Sequence, residues 1–373
     1  MTLSAAERAR YHRHLALSEI GAAGQEKLKA ARVLIIGAGG LGSPAALYLA
    51  AAGCGTLGLL DFDRVDVSNL QRQVLFDTLA VARLKAEAGR ERLAALNPEI
   101  RVNAHALELQ AANVRAVFAD YDVVIDGSDR LSTRYLVNDA CVLYAKALVS
   151  AAIHRFEGQL MTYVPERGPC YRCLFPDGRD GVVASCAEAG VLGVLPGVLG
   201  TLQATEAIKL ITGVGEPLLG RLLTYDALEM RFQEFRVSRR RDCAVCGDAP
   251  TITAPRDQDS GPASAAPGGV RRLSATDLKA LLQTQTPLLI DVREPYEFAA
   301  GHLEGSRHIP LNQLPRRLAE IPKTSAPVFI CRSGGRSLAA CSMALEAGIT
   351  SPANLEGGLQ GWAREVDPTL EVA

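Results

Sequence analysis

Val33-Leu34-Ile35-Ile36-Gly37-Ala38-Gly39-Gly40-Leu41-Gly42 is an apolar run that passes directly into a glycine-rich turn, and few folds accept such a stretch. The run reads as a buried strand, the turn as a bend through Gly37, Gly39, Gly40 and Gly42, and the residues after it as a helix. Gly37, Gly39 and Gly42 form a GxGxxG, in which absent side chains let backbone N–H groups approach a phosphate at a helix N-terminus. A second apolar strand, residues 57–60, ends at Asp61, where such folds set a carboxylate against a ribose hydroxyl. NAD and ATP both fit this much, because the glycine pattern by itself does not tell them apart.

The residues beyond that strand separate the two. Asp61-Phe62-Asp63-Arg64-Val65-Asp66-Val67-Ser68-Asn69-Leu70-Gln71-Arg72-Gln73 puts Asp63, the Asn69 amide and the Arg72 guanidinium just past Asp61. Lys85 comes next, on a helix expected over residues 79–96. Hydride transfer releases no pyrophosphate and has little use for this set. Adenylyl transfer needs it: charge builds on a triphosphate as a carboxylate attacks the α-phosphorus, and Arg, Lys and a metal ion answer that charge. Val123-Val124-Ile125-Asp126-Gly127-Ser128-Asp129 is another strand ending in carboxylates, the place where an open α/β sheet presents its ligands. Asp129 is assigned to Mg²⁺.

These residues resemble the MoeB/ThiF adenylyltransferases, bacterial relatives of the ubiquitin-activating enzymes, over residues 10–247. The resemblance is carried by GAGGLGSP, LLDFDxVxxSNLQRQ, the DGSDR strand end and Pro169-Cys170-Tyr171-Arg172-Cys173-Leu174. It implies ATP-dependent activation of the C-terminal Gly-Gly carboxylate of a small ubiquitin-like sulfur carrier of the MoaD or ThiS kind. Position by position, it implies Asp61 as the ribose ligand, Asn69, Arg72 and Lys85 as phosphate contacts, and Asp129 as the Mg²⁺ ligand. Arg13, within Arg10-Tyr11-His12-Arg13-His14, matches the arginine that dimers of this family reach across to the partner's ATP, so a homodimer is implied. His14 departs from the glutamine common in relatives. Without the resemblance, Arg8, Arg10 and Arg13 on an opening helix over residues 4–17 read as a solvated face.

A chain of 373 residues with 48% hydrophobic content has material for two globular domains, and a net charge of -1 argues against a nucleic-acid partner. No charged segment leading into an apolar one opens it, so no signal peptide is expected. Its longest apolar run, residues 41–60, is broken by Pro44, Gly53, Gly55 and Gly58 into helix, turn and strand, so no membrane span is expected either. Nine cysteines in such a chain point to metal or catalysis before disulfides, and to the cytoplasm. Cys170 with Cys173 and Cys243 with Cys246 make two CxxC hairpins, the donor set of a closed structural Zn²⁺ site; redox-active pairs are the competing reading. An ion held across so wide a gap is a staple, tying the end of the first domain to its middle.

Strands at 33–36, 57–60, 100–107, 123–125 and 147–151 alternate with helices at 45–52, 79–96 and 112–118 and from about Arg134. That alternation is an α/β pattern, a Rossmann-like parallel sheet with helices on both faces. Residues 175–190 form a loop rich in glycine and charge that carries Cys186. In the ubiquitin-activating relatives a cysteine of this crossover takes the acyl group, which gives Cys186 a nucleophile or acyl-disulfide role; an incidental thiol is the other reading. Residues 191–210 read as an apolar helix of core or dimer contact, and 224–235 as closing strands.

Composition shifts at Ala249. Pro250, Pro255, Pro262 and Pro267 stand among Ser, Ala, Asp and Gly, so a first domain of residues 1–248 gives way to a flexible linker over 249–270. A coil of about 20 residues spans roughly 25 Å on average and holds the second domain at roughly millimolar effective concentration near the first. Residues 271–373 form that second domain, a small α/β unit. One strand at 288–290 ends in Asp291-Val292-Arg293-Glu294, and another at 328–330 ends at Cys331, with a helix at 337–347. Cys331-Arg332-Ser333-Gly334-Gly335-Arg336-Ser337 therefore sets a thiol at a helix N-terminus, where successive N–H groups and two arginines favour an anion on sulfur. A persulfide is such an anion.

This unit resembles the rhodanese sulfurtransferases through Asp291-Val292-Arg293, Gly301-His302-Leu303-Glu304-Gly305-Ser306, the cysteine loop, Glu356-Gly357-Gly358 and Trp362. The likeness implies that Cys331 carries the transferable sulfur. A cysteine phosphatase would want arginine at the sixth residue after the cysteine; here that residue is Ser337 and Arg336 is fifth, one short for phosphate. Cys54, Cys141 and Cys341 read as packed thiols.

The two halves together resemble the MoeZ-type adenylyltransferase/sulfurtransferases. The expected sequence is adenylation of the carrier, attack on the acyl-adenylate by the Cys331 persulfide, and reductive release of a thiocarboxylate. A cysteine desulfurase or thiosulfate would supply the sulfur. The carrier's pathway, whether molybdopterin, thiamine, cysteine or another thio-product, stays open. Two other classes compete: an NAD-binding oxidoreductase-like protein and a non-catalytic carrier-binding module.

Overall fold

β1 (Arg32–Ile36) is buried after its first residue and runs parallel to β2 (Thr56–Leu60) on one side and β4 (Val123–Asp126) on the other. A strand placed in this way needs cover on both faces, which is why it reads as a continuous apolar run. Val33 and Ile35 enter one core with Leu57, Leu59, Leu49 and Leu199, while Leu34 and Ile36 enter the opposite one with Leu60, Val124 and Phe118. Burying each such side chain stabilises the fold by about 1.5–3 kcal/mol.

The computed structural model describes residues 2–176, 190–257 and 270–372. These fall into two units, each with its own sheet. The first sheet has eight strands in the order β3-β2-β1-β4-β5-β6-β7-β8, where β3 is Arg101–His105, β5 Ala147–His154, β6 Glu157–Tyr163, β7 Arg221–Asp226 and β8 Arg231–Arg236. Pairing is parallel from β3 to β5 and antiparallel from β5 to β8. The strand order reverses between β1 and β4, so a crevice opens at their carboxyl ends. β6 has no counterpart in the sequence reading; it pairs with β5 and β7, and its Gly158 lets the helix Val194–Thr212 approach closely, a Cβ there meeting Leu199 Cδ2 at 2.6 Å.

One expected element starts late. The helix anticipated over 79–96 begins at Lys85 and runs to Leu96. Residues 82–84 instead pair with 64–65: Ala82 N–H donates to Val65 O, Val65 N–H donates to Arg83 O, and Leu84 bridges to Arg64. The opening helix is broken as well, into Ala5–Arg10 and His12–Leu15, with Tyr11 between them wedged over Gly53.

The start of the stretch expected as linker packs on the first unit. Ile252 is buried, and its N–H and that of Thr251 both donate to Ala244 O. The second sheet is wholly parallel, in the order β11-β10-β12-β13-β9, with β9 Arg271–Leu273, β10 Leu289–Asp291, β11 Arg307–His308, β12 Val328–Ile330 and β13 Ala353–Leu355. β12 ends at the Cys331 loop, which leads into the helix Gly335–Glu346. Among the described residues no helix is long and apolar enough to cross a membrane.

Candidate active site

Two backbones cross at the crevice, and glycine permits the crossing. Gly37 has φ +83, and a Cβ on it would sit 3.0 Å from Gly127 O; a Cβ on Gly42 would sit 1.8 Å from Gly37 O. Gly40 abuts Pro196 and Arg72, and Gly39 is roomier, its nearest neighbour being Gln73 Nε2 at 3.7 Å. Gly37 and Gly42 shape the turn, and the open approach to Gly39 is what a phosphate would use.

Asp61 locks the turn in place. Its Oδ2 accepts the Ala38 N–H at 2.8 Å and its Oδ1 accepts the Asp63 N–H at 2.9 Å. Burial raises its carboxyl pKa above the usual carboxylate range, opposed by the nearby Lys85 ammonium and the two N–H bonds. Lys85 is itself buried and donates to the exposed Asp63 carboxylate at 3.1 Å. Its position results from the late helix start, because its own N–H goes to Asp63 O. Asn69 turns the loop: its carbonyl accepts the N–H groups of Arg72 and Gln73. Arg72 lies beside Gly40 and makes an exposed bond to Ser68 O.

At the end of β4 the buried carboxylate is Asp126. It accepts Ser128 N–H and Oγ–H on Oδ1 and the Ser150 hydroxyl on Oδ2. Arg134 stands 3.8 Å from it and donates to the carbonyls of Ala151 and Ser128. Asp129 lies just past the same strand end and is exposed. Arg13 is exposed on its short helix, while the neighbouring His14 ring lies 3.0 Å from Gln25 Oε1. Cys186 lies outside the described residues. Sequence reasoning passed over Gln73, a buried amide beside Gly39 whose Oε1 has no hydrogen-bond partner among the described residues; its place in the quoted motif was the available signal.

Cys170, Cys173, Cys243 and Cys246 converge, their sulfurs all within 4.8 Å of one another. Cys170 and Cys243 are 3.6 Å apart and Cys173 and Cys246 3.4 Å. A tetrahedral thiolate set at about 2.3 Å from an ion has edges of about 3.8 Å, so this donor set can hold a metal ion. The hairpin is anchored on a second side. Arg172 forms a buried bidentate pair with Asp139 at 2.7 and 2.8 Å, and Asn138 Oδ1 accepts the Tyr171 N–H. Cys54 and Cys141 are buried in apolar surroundings that push both thiols up, Cys54 to about 12.

In the second unit Cys331 is fully buried at the end of β12. Its Sγ accepts the Gly334 N–H at 3.1 Å and the Ser337 hydroxyl at 3.2 Å. Gly358, at φ +56, presses on the same loop: a Cβ there would meet Cys331 O at 2.4 Å. The N-terminus of the helix Gly358–Glu365 donates Leu359 N–H to Cys331 O and Gln360 N–H to Arg332 O.

Of the two arginines expected at the sulfur, Arg336 has both terminal nitrogens committed to a carboxylate. Arg336 turns inward to a buried bidentate pair with Glu297, both bonds 2.7 Å. Ser337, the residue after it, supplies the side-chain bond to sulfur instead. Arg332 keeps a buried Nε without a hydrogen-bond partner among the described residues. Cys341, one turn beyond Ser337 on the same helix, has its thiol pushed up to about 12 by burial.

A crevice at a strand-order reversal, a four-cysteine cluster that can hold a metal ion and a second unit with a cysteine sulfur cradled by an N–H and a hydroxyl point to an enzyme class that joins nucleotidyl transfer to sulfur chemistry. The chain belongs to the ThiF family, which matches residues 11–245, and it carries a rhodanese-like domain over residues 274–365. It is 43% identical to the probable adenylyltransferase/sulfurtransferase MoeZ of Mycobacterium tuberculosis over 99% of this chain and 96% of that protein. It is 40% identical to the adenylyltransferase and sulfurtransferase MOCS3 of Aedes aegypti, across 98% of this chain and 89% of that one. The sulfur carrier protein adenylyltransferase of Thermus thermophilus is 52% identical over 65% of this chain and 92% of its own length. Among solved structures, E. coli MccB with ATP matches 60% of this chain and 69% of its own, with a TM-score of 0.55 at 27% identity. The chain is accordingly an enzyme, an adenylyltransferase and sulfurtransferase.

Proposed function

We propose that the protein uses ATP to adenylate the C-terminal carboxylate of a small ubiquitin-like sulfur-carrier protein and then delivers sulfur from Cys331 to give a thiocarboxylate. The observation that carries this reading is the meeting of the Gly37 turn, Asp61, Lys85 and Asp126 at one strand-order reversal, in a chain that also cradles a cysteine sulfur. Backbone N–H groups of the turn bind phosphate, Asp61 takes the ribose, and Asn69, Arg72 and Lys85 meet the triphosphate charge. Mg²⁺ on Asp129, when bound, spreads that charge further. A carrier carboxylate oxygen forms a bond to the α-phosphorus, and pyrophosphate leaves with the electron pair of the broken P–O bond.

The terminal sulfur of the Cys331 persulfide then attacks the acyl carbon and AMP departs, leaving carrier and enzyme joined through an acyl disulfide. Cys186 is this chain's candidate thiol for that bond: its thiolate attacks the Cys331 sulfur, the carrier thiocarboxylate leaves, and an external dithiol reductant returns the resulting Cys186–Cys331 disulfide to two thiols before Cys331 is reloaded. We assign Arg13 to the ATP of a second copy and Zn²⁺ to the four-cysteine cluster. Residues 1–248 serve as the adenylation domain, 249–270 as a tether and 271–373 as the sulfur domain. A cysteine desulfurase or thiosulfate recharges Cys331, and the work is cytoplasmic. The test is isotope exchange between pyrophosphate and ATP with carrier present, combined with mass spectrometry of the carrier. Exchange that depends on carrier, with a thiocarboxylate that appears only once sulfur is supplied, supports the reading; tight NAD binding without exchange sinks it.

A further inference from the structure

The sulfur of Cys331 is held by Gly334 N–H and Ser337 Oγ–H, and these two donors flank Gly335 and Arg336 on the first turn of one helix. Where that turn sits is fixed from the side by Arg336. Its guanidinium reaches across 39 residues of sequence to grip both oxygens of Glu297. Glu297 is in turn rigid, since Oε2 also accepts the Glu294 N–H. Beside it lies a second buried pair, Arg293 with Asp291, the arginine also donating to Gly301 O. Glu297 stays ionised despite its burial because of the Arg336 fork and the field of Arg293.

We propose that Glu297 is a positioning residue for sulfur transfer: acting through Arg336, it sets the helix turn that aims Gly334 N–H and Ser337 Oγ–H at the Cys331 sulfur. The inference rests on the reading of Cys331 as the sulfur-bearing thiol. It also accounts for a loop arginine whose two terminal nitrogens are both taken by Glu297. The side chain anchors the cradle, and backbone and hydroxyl donors do the binding.

The test uses the full-length protein, inorganic polysulfide to load Cys331, and cyanide to remove the sulfur as thiocyanate, leaving the cysteine thiolate. Glu297→Gln keeps the shape and strands a buried cation; Arg336→Lys keeps the charge and loses the fork. Each is expected to lower the kcat of thiocyanate formation about tenfold with KM for cyanide changed less than about twofold, as a displaced catalytic frame does. Pyrophosphate exchange should stay at the native rate. The double exchange Glu297→Arg with Arg336→Glu should recover most of the loss, and it decides the matter if Glu297→Gln does not fold. Variants that melt lower yet turn over within about twofold of native in kcat would reduce the pair to structural support and overturn the proposal. A native protein that takes no sulfane sulfur at Cys331 is a different failure, one that removes the sulfur-transfer reading itself.

Discussion

The glycine turn after β1 and the cysteine loop after β12 are the same device, a parallel strand running through a short loop into a helix N-terminus, and they handle charge in opposite ways. Around the first, Arg72 makes an exposed carbonyl bond and Lys85 reaches outward to an exposed Asp63. Around the second, Arg336 and Arg293 are turned inward onto buried carboxylates. A triphosphate brings several charges from outside and needs mobile cations to meet it. A sulfur anion is part of the chain and carries one charge, so backbone N–H groups and one hydroxyl suffice while the arginines hold the frame. The two loops thus differ in where these arginines are committed, on an exposed carbonyl beside the first and on buried carboxylates beside the second.

Cys331→Ala is the sharpest division between the two loops. Carrier thiocarboxylate should vanish in a mass spectrum while pyrophosphate exchange stays within about twofold of native, since nothing in the adenylyl step touches that sulfur. Lys85→Ala should do the reverse, lowering exchange by about 10²–10³ as the loss of one preorganised charge does, with thiocyanate formation at Cys331 untouched. If both variants damage both reactions equally, the division of labour is wrong.

Gly42→Ala and Gly39→Ala separate shape from access within the first loop. A methyl 1.8 Å from Gly37 O must displace backbone, so Gly42→Ala should destabilise the first unit by more than about 3 kcal/mol in denaturant melts. Gly39→Ala meets nothing closer than 3.7 Å, so its melt should be near native while its apparent KM for ATP rises. A chelator under reducing conditions tests the Zn²⁺ proposed at the four-cysteine cluster: the first unit's melting temperature should fall by ~10 °C with the second unit's transition left in place.

The smallest effect is on the acid side of the second unit. Glu297 is held below its ordinary 4.5 in the folded state, so it binds protons less readily there than when unfolded. Its contribution is therefore complete above about pH 4.5 and lost as pH falls through the lower folded value. Melting temperature against pH should lose part of its acid limb in Glu297→Gln, and an unchanged limb would mean that the pair carries no net charge stabilisation.

Both anion loops were legible because their signals are local. An apolar run, a glycine pattern and a strand end lie within a dozen residues, and the GxGxxG and the Cys331 loop needed no partner to be seen. The cysteine pairs were legible for a related reason: CxxC spacing is a donor set whatever lies between the hairpins. Asp126 was visible only as one carboxylate of a strand end; that it is the buried one, with Ser128, Ser150 and Arg134 around it, depends on β5 lying alongside.

By itself the sequence determined the alternation that makes two α/β units, the glycine turn after β1, the four thiols that can hold an ion and the cysteine at the end of β12. Each of these comes from periodicity or from residue chemistry at short range. Tertiary structure alone decided that β6 joins the sheet, that the Lys85 helix starts six residues late, and that Arg336 pairs with Glu297. Those outcomes rest on which distant group satisfies a backbone N–H or neutralises a buried charge. In a folded chain that choice is made by packing, which no local pattern encodes.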